Sequence, residues 1–93
     1  MIQSFRDKRT EQLFHDGQHK SVAKELAGKA LVKLDVLHHA ENLESLYFPP
    51  SNRLEALQGY NPTRYSIRIN RQWRISFEWE EPHAYDVLFE DYH

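Results

Sequence analysis

Three segments in the C-terminal part of the chain alternate apolar and polar residues, which is the pattern of half-buried β-strands. They run from Arg64 to Asn70, from Trp73 to Trp79 and from Ala84 to His93. Because successive side chains of a strand point to opposite faces, all three segments can turn their apolar residues towards one core. The pattern predicts three consecutive strands joined by hairpins.

Because side chains alternate between two faces, only some registers let the first two segments turn both apolar faces to the same side. A three-residue loop, Asn70–Gln72, places Ile69 opposite Trp73 and keeps both apolar faces on one side. The same register places Arg68 directly opposite Arg74 on the polar face. Like charges facing each other across a strand pair are destabilising. Two interpretations are open from this pair alone: an anion-binding site, or two solvated side chains that splay apart.

The third segment is expected to pair with the second through a loop from Glu80 to Ala84, with Trp79 opposite Tyr85. This register places Arg74 opposite Glu90. It also places Tyr92 on the polar face and leaves Asp91 and His93 on the other face. On the polar face of the first strand pair, Arg64 lies opposite Glu78.

Helical periodicity dominates the N-terminal half. We expect an edge strand over Met1–Ser4 and a helix over Arg6–His15 that ends near Gly17. The spacing predicts the main helix over Val22–His39, with Ser21 as its N-cap. Its apolar residues recur three and four positions apart: Ala23, Leu26, Ala27, Ala30, Leu31, Leu34 and Leu37. Its lysines fall mostly on the solvated side: Lys24, Lys29 and Lys33.

The segment after the main helix completes the predicted fold. Pro49 and Pro50 prevent the helix from continuing and favour an extended passage. Arg53–Leu57 is a candidate strand, and Gln58–Pro62 carries the Gly and Asn-Pro signals of a loop. The chain, residues 1–93, is predicted to form one α+β domain. Two N-terminal helices pack on a small, mostly antiparallel sheet of four to five strands.

Composition narrows the classes of function. The chain has no cysteine, which excludes a disulfide framework and a thiolate metal site. His15 and His19 are four residues apart, but no third ligand is in view, so we expect neither a metal nor a cofactor. No apolar run reaches membrane-spanning length and no signal-peptide pattern opens the chain, so the cytoplasm is expected. The net charge of -2 leaves room for a local basic site.

A set of short motifs extends through the whole chain. They are Met1-Ile2-Gln3-Ser4-Phe5, Lys33-Leu34-Asp35-Val36-Leu37, Pro49-Pro50 followed by Arg53-Leu54-Glu55, Leu57-Gln58-Gly59, Tyr65-Ser66-Ile67, Trp73-Arg74-Ile75-Ser76-Phe77 and Asp91-Tyr92-His93. Together they resemble the HigB-like toxins of the RelE superfamily, also called plasmid-maintenance-system killer proteins. The double proline, the Trp-Arg-Ile strand and the terminal Asp-Tyr-His point to this family only when they occur together, since each motif alone is a weak signal.

The resemblance implies a compact RNase-like fold and a type II toxin. Such toxins enter the 30S A site of the ribosome and cut mRNA during translation, as metal-independent endoribonucleases. A cognate helix-turn-helix antitoxin (HigA-like) holds them inactive. The complex represses its own operon, so operator DNA is contacted only through the toxin–antitoxin complex, and no membrane is involved.

The resemblance also implies site residues. The catalytic set carried over is Arg74, Asp91, Tyr92 and His93. The family has a lysine just before the glycine that follows strand two, and this position is Gln58 here, which removes one cation. We expect RNA contacts from four residues: Arg53, Arg64, Arg68 and Gln58.

These residue types suit RNA cleavage. RNA carries its own nucleophile, the 2′-hydroxyl, so the site needs a base, an acid and cations that stabilise the phosphorane. His93 has an unperturbed pKa near neutrality and suits either proton-transfer role. Asp91 can orient His93 or act as the base, and Tyr92 can stack on a base or donate its hydroxyl. The division of roles among these three residues stays open.

Two other functions compete. A ParE-like gyrase poison shares this fold, but the terminal Asp-Tyr-His is unexpected there. A weakly active or degenerate toxin that mainly binds its antitoxin and regulates DNA is favoured by Gln58 and by the mild acidity of the chain.

Overall fold

The computed structural model describes residues 1–92, in which two helices precede a four-stranded sheet. The helices are α1, Lys8–Asp16, and α2, Lys24–His39. The strands follow the same order across the sheet as along the chain: β1 Glu55–Leu57, β2 Arg64–Arg68, β3 Trp73–Glu80 and β4 His83–Asp91. All three neighbouring pairs are antiparallel, so the predicted α+β class is confirmed.

Capping explains where α1 begins and ends. The Asp7 carboxylate accepts the Thr10 N–H at 2.8 Å, so the helix begins at Lys8 rather than at Arg6. Gly17 ends it with φ of 74°, a left-handed conformation that glycine adopts without a Cβ penalty. The predicted stop is therefore confirmed.

The predicted N-cap of α2 is wrong. The Ser21 N–H donates to Nδ1 of His19 at 3.0 Å, and the Ser21 hydroxyl lies 2.8 Å from the same nitrogen. This local turn engages Ser21, and the helix begins two residues later than expected. Its N-cap is Ala23, which makes no side-chain hydrogen bond.

The N-terminal segment follows the free edge of β4 without forming a continuous strand. It makes two isolated parallel bridges, Ile2 with Ala84 and Phe5 with Val87. Between them the Asp86 N–H donates to the Ser4 hydroxyl instead of to a backbone carbonyl. The predicted edge strand is thus reduced to two bridges, because the partner strand is irregular at Asp86.

The register of β2 with β3 is confirmed, with Arg68 opposite Arg74. The register of β3 with β4 is confirmed at one end, where Arg74 faces Glu90, and wrong at the other. Trp79 faces Ala84 rather than Tyr85.

A β-bulge causes this difference. Two residues of β4, Asp86 and Val87, lie between Leu88, which pairs with Ser76, and Tyr85, which pairs with Glu78. Asp86 has a φ of 48°, and β3 and β4 are joined by the two residues Glu81 and Pro82. An extra residue in one strand reverses which side chains face the core, so the bulge buries Ala84 instead of Tyr85.

The helices cover one face of the sheet and bury the core. Its fully buried members include Leu13, Ala30, Leu34, Leu37, Ile67, Ile75, Phe77, Val87 and Phe89. The Phe89 N–H donates to the Thr10 hydroxyl at 2.9 Å, which ties α1 to β4. The opposite face of the sheet is left polar. Within residues 1–92, neither helix is long and apolar enough to cross a bilayer.

Two short 3-10 helices, Leu43–Tyr47 and Pro50–Asn52, form the connector between α2 and β1. The predicted extended passage at the prolines is therefore partly helical. The predicted strand over Arg53–Leu57 begins at Glu55.

Candidate functional site

A surface cavity of about 330 Å³ opens on the polar face of the sheet, beside the β2–β3 hairpin. Among residues 1–92, its lining consists of Arg53, Glu55, Arg68, Arg71 and Tyr92. Glu55 reaches this face because it pairs with Ser66 across β1 and β2. Three guanidinium groups and one carboxylate give the lining a net positive charge. The cavity is therefore suited to an anion such as a phosphate.

Tyr92 lies directly after β4 and closes one side of the cavity. Its backbone N–H donates to the Gln72 carbonyl at 2.7 Å, which holds the chain against the hairpin loop. Burial is the largest cause of the raised pKa of Tyr92, and the negative charge of Glu55 adds to it. The positive charges of Arg68, Arg74 and Arg53 oppose the shift less strongly. The phenol is therefore protonated at neutral pH and can donate its proton.

Arg68 and Arg74 are cross-strand partners, as predicted, but their charges are not equally available. Nη2 of Arg74 lies 3.3 Å from Oε1 of Glu90, so this guanidinium already has a carboxylate partner. Its side chain is 15% exposed, and its guanidinium carbon lies 5.1 Å from the centre of the Tyr92 ring. Arg68 donates from Nε to the Asn70 carbonyl at 3.0 Å. Within residues 1–92, it belongs to no ion pair.

The two arginines therefore differ in charge balance, because the register predicts a carboxylate, Glu90, opposite Arg74 and none opposite Arg68. Glu90 neutralises Arg74, and the unneutralised positive charge comes from the cavity lining instead. The site is a single paired arginine beside a cluster of three arginines that have no ion-pair partner among the described residues.

A chain of hydrogen bonds under the polar face holds Arg74 in place. Glu90 accepts the Ser76 hydroxyl with its second oxygen. The same hydroxyl accepts Nη2 of Arg64 at 3.0 Å. Nη2 of Arg64 also donates to the carbonyl of Asp86 at 2.8 Å, so the chain of hydrogen bonds runs from the bulge to Arg74.

Arg64 does not belong to the cavity, although it was expected to bind RNA. The residue is 1% exposed, and its guanidinium lies 3.7 Å from Glu78 and within hydrogen-bonding distance of Ser76. Burial is the largest cause of the lowered pKa of Arg64, followed by the charge of Arg6, with Glu78 opposing. A guanidinium covered in this way cannot reach a phosphate. Its contacts make it part of the scaffold.

The C-terminal residues are divided between the two faces, as the register predicts. Asp91 pairs with Trp73, away from the cavity, and its Oδ2 accepts Nε2 of Gln72 at 2.9 Å. The structure therefore does not bring Asp91 together with Tyr92. His93 lies outside the described residues, and its expected catalytic role stays a prediction.

Gln58 is exposed in the turn after β1 and does not line the cavity. Leu57 pairs with Arg64, at the end of β2 opposite to Arg68. Gln58 therefore lies beyond the far end of this strand pair, and the cavity keeps its three arginines without a lysine at that position.

Two lining residues were missed in the sequence. Glu55 is part of the Arg53-Leu54-Glu55 motif, and Arg71 is in the predicted hairpin loop. A charged residue inside a predicted strand, such as Glu55, or inside a predicted loop, such as Arg71, is a weak signal. Only the pairing of β1 with β2 shows that Glu55 faces the same side as Arg68.

Comparison with known proteins agrees with the fold. The HigB-like toxin family, described as the RelE-like toxin of the type II toxin–antitoxin system HigB, matches residues 3–93. The protein Toxin HigB-1 of Vibrio cholerae is 35% identical over 80 residues, covering 85% of this chain and 84% of the relative. Endoribonuclease HigB of Proteus vulgaris is 29% identical over 93 residues, covering 100% of both chains.

The chain belongs to the HigB-like toxin family of type II toxin–antitoxin systems. The family and the RelE-like fold expected from the sequence motifs are therefore confirmed. Membership in a toxin–antitoxin family implies an antitoxin as the partner.

Proposed function

We propose that this protein is an endoribonuclease that cleaves mRNA in the 30S A site of the ribosome and so inhibits translation. The observation that carries the proposal is the cationic cavity around the protonated phenol of Tyr92. The name of the Proteus vulgaris relative, Endoribonuclease HigB, supports the same activity.

The cavity supplies the groups that RNA cleavage needs. A phosphate bound by Arg53, Arg68 and Arg71 is attacked by the neighbouring 2′-hydroxyl of the RNA, and the arginines stabilise the phosphorane. The phenol of Tyr92 gives its proton to the departing 5′-oxygen. The carboxylate of Glu55 takes the proton of the 2′-hydroxyl. The products are a 2′,3′-cyclic phosphate and a 5′-hydroxyl end.

Arginine charge takes the place of a metal ion in this mechanism. Within residues 1–92, no three His, Asp or Glu side chains are grouped so that they could hold a metal ion. Arg74, paired with Glu90 and placed over Tyr92, orients the phenol, and the positive charge comes from Arg53, Arg68 and Arg71. We therefore propose a metal-independent reaction without a cofactor.

The roles implied by the family for Asp91 and His93 are kept as part of the proposal. Asp91 lies on the other face, so it acts on the site through the chain end rather than by touching the phosphate. His93 is a second candidate for the base, beside Glu55.

We also propose the partners that follow from this activity. The antitoxin is a HigA-like helix-turn-helix protein, and operator DNA is bound only by the toxin–antitoxin complex. Translating ribosomes place the site of action in the cytoplasm.

A translation extract tests the proposal. We expect the wild type to cleave a translated message and to leave the same message intact when ribosomes are absent. Arg74→Ala and His93→Ala should cleave much less, whereas Lys29→Ala, a charge removal on the exposed side of α2, should cleave like the wild type. Equal cleavage by all variants, or none by the wild type, would refute the proposal. Cleaved DNA in a gyrase assay, with no message cleavage, would favour the gyrase-poison alternative.

A further inference from the structure

We propose that Asn52, held by Lys33 of α2, is a positioning residue that places Arg53 in the cavity. The inference rests on the proposed function for its catalytic consequence, because Arg53 belongs to the same site. Its structural part concerns only the contacts of these three residues.

The backbone of Arg53 is in an unusual conformation. Its φ of 46° and ψ of 53° are left-handed, which is uncommon for a residue with a Cβ and costs about 1 kcal/mol or more. The Arg53 N–H donates to the Pro50 carbonyl at 3.1 Å, which closes the turn. The side chain is exposed and lines the cavity. Neighbouring contacts must therefore hold this conformation.

Asn52 provides those contacts. It is 0% exposed, and both ends of its side-chain amide are occupied. Nδ2 donates to the carbonyls of Leu46 at 3.2 Å and Phe48 at 3.0 Å. Oδ1 accepts a hydrogen bond from Nζ of Lys33. One buried side chain thus ties the residue before Arg53 to the connector and to α2.

Lys33, on α2, is the residue that holds Asn52 from outside the connector. Although the sequence pattern predicts a solvated lysine, the residue is half-buried, and burial lowers its pKa. Among the ion pairs of residues 1–92, none includes Lys33. Its ammonium group is instead satisfied by the neutral oxygen of Asn52. This contact links the longest helix to Asn52, the residue that directly precedes Arg53 of the cavity lining.

Removing the ammonium group of Lys33 leaves Oδ1 of Asn52 buried without its donor. The amide then gains by reorienting towards another donor, which weakens its bonds to the two connector carbonyls. Arg53 is then free to leave its strained backbone conformation. Its guanidinium moves away from the phosphate position, and small displacements of this kind reduce catalysis strongly.

Lys33→Met tests the inference with two independent measurements. In the ribosome-dependent cleavage assay we expect kcat/KM to fall about tenfold, with Lys29→Met on the same helix as the matched control that leaves it unchanged. The double variant Lys33→Met/Arg53→Ala should be no less active than Arg53→Ala alone, because both changes remove the same contribution. Multiplied losses in the double variant would overturn the inference.

The second measurement does not depend on activity. By NMR, the backbone chemical shifts and HN–Hα coupling of Arg53 should change in Lys33→Met and in Asn52→Ala, and stay as in the wild type in Lys29→Met. Unchanged Arg53 signals in a folded Lys33→Met protein would overturn the inference. A wild type that cleaves no message, but whose Arg53 signals respond as expected, would refute the proposed function and leave the positioning role supported.

Discussion

The guanidinium carbon of Arg74 lies 5.1 Å from the centre of the Tyr92 ring, and the same guanidinium is paired with Glu90. The cation over the ring face is attracted by the aromatic quadrupole and restricts the orientation of the phenol. This contact joins two residues that are eighteen positions apart, on β3 and directly after β4, at the edge of the cavity.

Tyr92→Phe keeps the ring under Arg74 and removes only the hydroxyl. If the phenol protonates the leaving oxygen, kcat should fall about 10²- to 10⁴-fold, the usual contribution of a positioned acid. The thermal midpoint should change little, since the ring contact is retained. Single-turnover cleavage on ribosomes measures the effect. Full activity of the variant would show that another group is the acid.

The raised pKa of Tyr92 also predicts an effect on alkaline stability. The unfolded chain loses its phenolic protons near pH 10, whereas the folded chain keeps that of Tyr92 to higher pH. The free energy of unfolding should therefore fall as pH rises from about 10 through the folded pKa. Urea denaturation between about pH 9 and 11 should show a smaller decline for Tyr92→Phe than for the wild type. Identical declines would contradict the raised pKa.

Glu55→Gln separates binding from proton transfer. The substitution removes the negative charge that the described residues contribute to the cavity lining, so the affinity for RNA should rise, most clearly at low salt. If Glu55 is the base, kcat should fall about 10²- to 10⁴-fold at the same time. Kinetics on ribosomes and binding of a short RNA measure the two effects. A variant with unchanged kcat would assign the base to another residue, and His93→Ala is then the next test.

Arg64 and Arg68 lie on the same face of β2, but their removal should affect different properties. Removing Arg64 should mainly lower the stability of the protein, and removing Arg68 should mainly weaken RNA binding. Arg64→Ala leaves Glu78 and Ser76 without their buried partner, which should cost about 3–5 kcal/mol of stability. Arg68→Ala removes a single hydrogen bond from the guanidinium to the Asn70 carbonyl and should cost about 1–2 kcal/mol.

RNA binding should show the reverse order. Arg68→Ala should weaken binding. The slope of log affinity against log salt concentration should also become shallower, by the amount that about one phosphate contact contributes. Denaturant titration and salt-dependent binding, measured on both variants, check the pair. Strong loss of RNA affinity in a stable Arg64→Ala protein would restore the role that the sequence suggested for Arg64.

His38 should make the attachment of the N-terminal segment sensitive to acid. Its Nδ1 accepts the Ile2 N–H at 3.2 Å, which requires the unprotonated ring nitrogen. Burial is the largest cause of its lowered pKa, followed by the charges of His39 and the N-terminus, with Asp35 opposing. Stability should therefore be fully present above about pH 6.5 and be lost as pH falls through the folded pKa.

His38→Asn keeps an acceptor near the position of Nδ1 but cannot take up a proton in this range. The variant should show a shallower loss of stability between about pH 7 and 5 than the wild type. Urea denaturation at several pH values measures the slopes. Parallel slopes would show that His38 does not control the acid response.

Side-chain alternation was sufficient for the part of the site that lies on regular strands. It placed Arg68 opposite Arg74 and Arg74 opposite Glu90, because a period of two leaves few registers that bury both apolar faces. It was not sufficient beyond the bulge at Asp86. That bulge is held by Ser4 and Arg64, whose contacts join distant parts of the chain and leave no local pattern.

The sequence by itself determined the α+β class, the two helices, the β2–β3 register and the family, since these follow from local periodicity and from motifs spread along the chain. The tertiary structure alone decided which arginines are available to a ligand. Arg64 and Arg68 occupy equivalent positions in the apolar–polar alternation of β2. Arg64 is nevertheless buried, whereas Arg68 lines the cavity. The difference arises from what packs over each side chain, and no local pattern records that packing.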